Sequence, residues 1–269
     1  MTENFKTVKY EQITLPDVIE EFNKKSKENL AFKKLSELYS LEKKDLELRD
    51  FRTSPYVFDK IKLNWIIISE EIKKENKNIL AGHAITCEIN WQGSVEDLPE
   101  NGWSGATLRC YKNNNKKINT LVGLFIHIEK NYKNKQLSKV FIENMKKIAI
   151  EKNYELVIPL RPPTRFEKEF CEISFDEFCK LKTSDGFFQD YWIRQHQKFG
   201  AEYLSFCEKS HQHKIPLKIF KHFFGKNVIK DTGHYTVNIL GGWYKVFFDL
   251  KKDEVTINQG CVWVKHDTT

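Results

Sequence analysis

Between Leu15 and Leu46 apolar residues fall at every third or fourth position, which predicts one or two helices after a short strand near Thr7 to Ile13. Pro16 is tolerable there in a first helical turn. The period then changes. Leu63 to Ser69 and Ile79 to Ile89 are β-rich runs on either side of a charged turn, the pattern of an antiparallel hairpin. "LPENGWSGA" reads as a loop around Gly102, and Asn119 to Glu129 as a further strand. Beyond a corner rich in Lys and Asn, Leu137, Val140, Phe141, Met145 and Ile148 repeat at helical spacing, and "YELVIPL" returns as a strand. A strand, helix, strand unit of this kind predicts parallel neighbours joined by a right-handed crossover.

A helix is expected over "DGFFQDYWIRQHQKFG", stopped by Gly200, with Asp190 and Arg194 paired on its surface. Strand "AEYLSFCEKS" and a short helix around "IFKHFFG" follow. The runs "HYTVNIL", "WYKVFFDL", "EVTIN" and "CVWVKH" turn at Gly241 and Gly242 and at Lys251 to Asp253, which predicts a small antiparallel sheet. No internal repeat or low-complexity linker interrupts the chain. The expected division is an α/β domain over residues 1–210 and a β-rich C-terminal extension over residues 211–269, packed on it.

Composition narrows the class. Twenty Phe and six Trp in 269 residues supply the apolar surface for a sizeable core, against disorder. The net charge of +7 is moderate, and its Lys-rich segments are mostly interleaved with Glu, as on a solvated surface or one that attracts a phosphate-bearing small molecule. No arginine-rich tail or zinc-finger spacing points to nucleic acid. The six cysteines lie far apart without a C-x-x-C pair, so they predict reduced, mostly buried thiols in a cytosolic protein. His211, His213, His234 and His266 are too scattered to predict a metal. "MTENFKTVKY" lacks the pattern of a signal peptide and "WIIIS" is too short to span a bilayer, so a cytoplasmic protein without a membrane partner is expected.

The chemistry concentrates at the corner "IEKNYKNKQLSKV", Ile128 to Val140. A strand running straight into a helix start presents unpaired N–H groups and the positive end of the helix dipole, which suits phosphate, and Lys133, Lys135 and Lys139 add charge. Against the pattern Val-x-Pro-x-x-Arg-Gly-x-Gly-x-Gly/Ser, Ile128 takes the Val position, Lys130 the Pro and Lys133 the Arg. Asn134 and Gln136 take the first two Gly positions and Ser138 the Gly/Ser. With Pro159 inside the next strand, and "YWIRQHQKFGAEYL" like a Tyr-x-x-x-Gly-Phe segment, the chain resembles the GNAT superfamily of acyl-CoA-dependent N-acyltransferases. "LPENGW", "PLRPP" and "CVWVKH" add a similarity to a large bacterial subgroup with a β-rich C-terminal extension.

The resemblance implies a mixed α/β fold, with a GNAT-like central sheet whose fourth and fifth strands splay apart between flanking helices. It implies acetyl-CoA or another acyl-CoA as donor, held by Ile128, Lys130, Lys133, Asn134, Lys135, Gln136, Ser138 and Lys139, and no metal. A Cβ at Asn134 or Gln136 is expected to obstruct phosphate or to demand a different backbone path. His196, where many members carry a Tyr acid, is the expected proton donor, its charged form favoured at a helix C-terminus. His127 and Glu129, on one face of their strand, are expected to receive the acceptor's proton, while a backbone N–H near Ile128 polarises the thioester carbonyl. Arg161, Trp192 and Trp103 are expected to contact the acceptor or acyl group.

The implied reaction moves an acetyl or other acyl group from acyl-CoA, or from the phosphopantetheine of an acyl carrier protein, to an amine, with a small molecule as the favoured acceptor. Two other readings stay open: a ligand-binding protein that keeps the fold without turnover, and a Lys-rich module that binds protein or nucleic acid. The oligomeric state is left open.

Overall fold

The computed structural model describes residues 5–9, 63–72, 77–112, 117–224, 231–239 and 241–268. The helices expected between Leu15 and Leu46 lie outside the described residues. The strands are β1 (Phe5–Lys9), β2 (Leu63–Ile72), β3 (Lys77–Ile89), β4 (Thr120–Ile128), β5 (Glu155–Leu160), β6 (Glu202–Pro216), β7 (Gly233–Ile239), β8 (Gly242–Asp249) and β9 (Glu254–His266). The helices are α1 (Gly102–Lys112), α2 (Leu137–Lys152), α3 (Lys168–Cys171), α4 (Phe175–Lys180), α5 (Tyr191–Lys198) and α6 (Leu217–Phe224).

The fold is mixed α/β. Its sheet runs β1-β2-β3-β4-β5-β9-β8-β7, with β6 pairing β9 from outside that path. The expected hairpin is β2 with β3, antiparallel from Leu63 opposite Cys87 to Ile72 opposite Lys77. The expected crossover is β4-α2-β5, and its strands are the parallel neighbours. β9 is central: its C-terminal half lies between β5 and β6, from Val262 opposite Leu160 to His266 opposite Leu156, and its N-terminal half lies between β8 and β6. β6 runs through residues 210 and 211 as one strand with a register shift between Cys207 and His211, so core and C-terminal segments share a sheet.

Three clusters of buried side chains hold the layers. On one face, Leu137, Phe141, Met145 and Ala149 of α2 meet Leu121, Leu156 and Val264, joined by Phe175, Phe178 and Ile193 from α4 and α5. On the other, Ala106 and Trp103 of α1 pack with Val122, Leu124, Val157 and Trp263. A third cluster joins Phe220 of α6 to Val237, Val246, Phe248 and Ile257 in the antiparallel C-terminal part. At about 25 cal/mol per Å² of apolar area removed from water, burial on this scale is the main stabilising contribution.

Three local expectations are corrected. The stretch from Gly102 to Lys112 is a helix, not a continuing loop, because Ala106 and Trp103 face the sheet while Thr107 bonds back to the Trp103 carbonyl and Ser104 donates across to the Ser210 carbonyl of β6. The helix before Gly200 starts only at Tyr191, because buried Asp190 accepts from the N–H groups of Trp192 and Ile193 at 2.9 Å each. Asp190 also accepts from the Thr164 N–H, and Arg194 donates to the carbonyls of Phe188 and Gln189, so the expected surface pair does not form.

Candidate functional site

β4 and β5 pair over three residues only, Thr120 to Val122 against Glu155 to Val157, and then part. β4 runs on to Ile128 and β5 to Leu160. The crotch is filled: a Cβ built on Gly123 would stand 3.0 Å from both Ile158 and Met145. Beyond it, Pro159 is opposite Trp263 and brings no N–H to either side. β4 carries a bulge here, since Gly123 is opposite Thr86 and Phe125 opposite Ile85, leaving Leu124 as the extra residue. The Leu124 carbonyl accepts from Trp103 Nε1 at 2.9 Å, which ties α1 to the fork.

The bulge also sets which backbone groups face the fork. The Glu129 N–H donates to Ala81 at 3.0 Å, so by antiparallel alternation the groups of His127 face β3 while those of Ile126 and Ile128 face away from it. No strand among the described residues pairs there. The N–H groups of Ile126 and Ile128 therefore point into the gap, where one was expected near Ile128.

At the mouth of the fork, a 3-10 turn over Lys130–Tyr132 leads to α2. Asn134 and Gln136 both take left-handed backbone, at φ 66° and φ 56°. Of the two outcomes expected at these positions, a different backbone path is not seen: the chain takes the left-handed region that glycine favours. Among the described residues no acceptor reaches the N–H groups of Asn134, Gln136, Leu137 or Ser138, and Gln136 caps α2 without a side-chain bond. Lys130, Lys133, Lys135 and Lys139 are exposed around them, with Lys135 4.7 Å over the Tyr132 ring and Lys139 3.7 Å from Glu143.

A left-handed non-glycine residue costs about 1–2 kcal/mol. Gln136→Gly is therefore expected to raise the unfolding free energy by about 0.5–1 kcal/mol, after the entropy of glycine in the unfolded chain is subtracted. Gln136→Val is expected to lower it by about 1–2 kcal/mol, because a β-branched residue tolerates positive φ least. Urea midpoints measure both.

His127 and Glu129 share a face of β4, with His127 Nε2 3.7 Å from Glu129 Oε1. His83 lies opposite His127, their rings 5.3 Å apart, and Phe125 stacks on His127 at 6.3 Å. This is the α1 side of the sheet, because the bulge turns Ile126 and Ile128 to the α2 side. A second polar group there has no counterpart in the sequence pattern. Ser104 Oγ lies 3.3 Å from His211 Nδ1 and donates to the Ser210 carbonyl, and the His211 ring stands edge-on to Trp103 at 5.6 Å. Only the pairing of β6 with β9 and the docking of α1 bring it beside the fork.

His196 does not join this group. It is fully buried, with its Nδ1 2.9 Å from Nε2 of the equally buried His266 and its ring edge-on to Trp192 at 4.5 Å. His266 is opposite Leu156, level with the paired stem of the fork and on the α2 side. His127 lies six residues farther along β4 on the opposite face, roughly 20 Å away along the strand. Burial pushes the His196 imidazole well below its ordinary value, and His266 lowers it further. Burial and Lys146 push His266 down to about 4. The helix-end effect that was expected to favour a charged acid is worth about 0.3–1 kcal/mol, and desolvation outweighs it.

Arg161 is exposed, donates to the Tyr244 hydroxyl at 2.9 Å and lies 4.1 Å over Phe166, so it is tied to β8. Trp192 is half-buried beside His196, away from the mouth of the fork, whereas Trp103 lies against the base of the fork at Leu124. All six cysteines are free thiols. Among the described residues no three His, Cys, Asp or Glu side chains are set to hold a metal, and no helix is long and apolar enough to cross a membrane.

No family model matches the sequence, and no curated protein matches it. Among solved structures, the loading GNATL domain of CurA from Lyngbya majuscula is similar over 76% of this chain and 76% of that one, at 13% identity with a TM-score of 0.41.

Proposed function

We propose that this protein transfers an acyl group from a pantetheine thioester, carried by coenzyme A or by an acyl carrier protein, to a small-molecule amine. The corner carries this proposal: two non-glycine residues hold left-handed backbone at the mouth of a strand fork, beside N–H groups without acceptors and a ring of lysines. Strain of this kind persists where surrounding structure holds it, and it concentrates at functional sites. The amides of Asn134, Gln136, Leu137 and Ser138 suit a diphosphate, with Lys133, Lys135 and Lys139 close by. The pantetheine arm then enters between β4 and β5, and the N–H of Ile126 or Ile128 meets the thioester oxygen. Glu129, with His127 beside it, takes the amine proton.

Coenzyme A at a hundred times its Kd is expected to stabilise the protein by about 2.7 kcal/mol, and Lys133→Glu with Lys139→Glu to abolish the effect. With acetyl-CoA and a panel of amines, free thiol should appear, and Glu129→Gln should slow its release by about 10²-fold or more. Absence of any coenzyme A stabilisation overturns the proposal. A second reading, binding without turnover, is favoured by the sealed position of His196, which removes the expected proton donor. It predicts stabilisation by coenzyme A with no thiol release.

A further inference from the structure

Away from the fork, a cavity of about 230 Å³ opens between the segment from Arg165 to Phe175 and strands β6, β7, β8 and β9, with His234 from β7 at its wall. Its walls are mixed, with the aromatic side chains Phe166, Phe175, Trp243 and Tyr244 beside the polar Ser174, Asn258 and Gln259. Its charges are Arg165, Lys245 and, opposite in sign, Glu208. Arg165 Nη2 donates to the Ile173 carbonyl at 2.8 Å, and the guanidinium lies 5.6 Å from the Phe178 ring centroid, so the fork of donors is held in place. Its other nitrogen, Nη1, is buried and has no hydrogen-bond acceptor among the described residues. A buried charged donor left without an acceptor is costly, and Glu208 does not reach it as an ion pair. Burial pulls the Arg165 guanidinium below its ordinary value, and the opposing pull of neighbours that include Glu208 does not make up for it.

We propose that this cavity is a second binding site, for a compact organic monoanion with an apolar, planar body, its carboxylate paired with the Arg165 guanidinium and its body against the aromatic side chains. The inference is independent of acyl transfer, since it uses none of the residues at the fork. A guanidinium presents parallel N–H groups that match a carboxylate, and Lys245 adds attraction at the rim. Glu208 disfavours a dianion such as a phosphate monoester. The small volume restricts the ligand to fragment size, and the aromatic side chains reward a ring.

Benzoate is the probe, with its neutral isostere benzamide as control, both titrated calorimetrically into the full chain. Benzoate should saturate at one site and benzamide should bind at least about tenfold more weakly. Arg165→Met should weaken benzoate by about tenfold or more, and Lys245→Gln, on an exposed side chain, by a few fold, while the response to coenzyme A stays unchanged in both. Should Arg165→Met fail to fold, the benzamide comparison and Lys245→Gln decide. The proposal is overturned if benzoate does not saturate, if benzamide binds equally well, or if folded Arg165→Met binds benzoate like the wild type.

Discussion

Lowering the pH from about 7 to about 4 is expected to remove roughly 3 kcal/mol of stability through the buried His266 alone, with His196 adding to the loss. Both imidazoles are harder to protonate folded than unfolded, so the unfolded chain binds more protons once the pH drops below 6.5. Their contribution is full above that value, falls as the pH goes from 6.5 towards about 4, and levels off below the folded values. Two neutral imidazoles joined nitrogen to nitrogen share one proton between them. Whichever ring donates, one outer N–H and one outer lone pair remain, and His196 Nε2 and His266 Nδ1 are both buried without partners among the described residues.

The pair is therefore a weak point, and its removal should show it. His196→Leu with His266→Leu is expected to match or exceed the wild type in stability at pH 5, whereas either single change strands the remaining imidazole and destabilises. Urea unfolding at several pH values measures this, and the difference between wild type and double variant cancels the carboxylates that also titrate. Identical pH profiles for the two proteins would show that the pair does not carry the acid sensitivity.

Gly102→Ala is expected to cost about 2–4 kcal/mol, because it combines strained backbone with overpacking. Gly102 opens α1 at φ 50°, and a Cβ built there would overlap Ser210 Oγ and stand 2.6 Å from the Sγ of Cys261. The neighbouring first turn is clamped to the same place: the Trp103 N–H donates to Ser210 Oγ at 2.9 Å, and Ser104 Oγ to the Ser210 carbonyl at 2.8 Å. Neither α1 nor the β6–β9 ladder can retreat without loosening Trp103 from Leu124. A second change, Ser210→Gly, should recover part of the loss by opening room beside residue 102. A urea midpoint for Gly102→Ala within error of the wild type would contradict the packing described here.

The strand, helix and strand around the corner were legible because Leu121 to Ile128 is a long apolar run and Leu137 to Ile148 keeps a helical period. The α1 helix was not, because Gly105 and few large apolar residues leave its pattern faint, and its helical state rests on docking against β6. β9 read as two short strands, since "NQG" interrupts the alternation. Gly260 is needed there because a Cβ would stand 2.5 Å from the Phe175 ring, a contact that sequence spacing does not show. The Lys- and Asn-rich run marked the strand-to-helix corner, but only the backbone revealed that Asn134 and Gln136 take glycine-like angles. His196 misled for a physical reason: its place on a helix was visible, its burial against β9 was not.

The placement of β9 between β5 and β6 has a consequence for synthesis. Until residues 254–266 leave the ribosome, two strands made much earlier keep unsatisfied ladder edges facing a vacant slot. Closure of that slot joins partners far apart in the chain, so folding of this sheet waits on translation of β9, and chaperones that shield strand edges are expected to matter most in that interval.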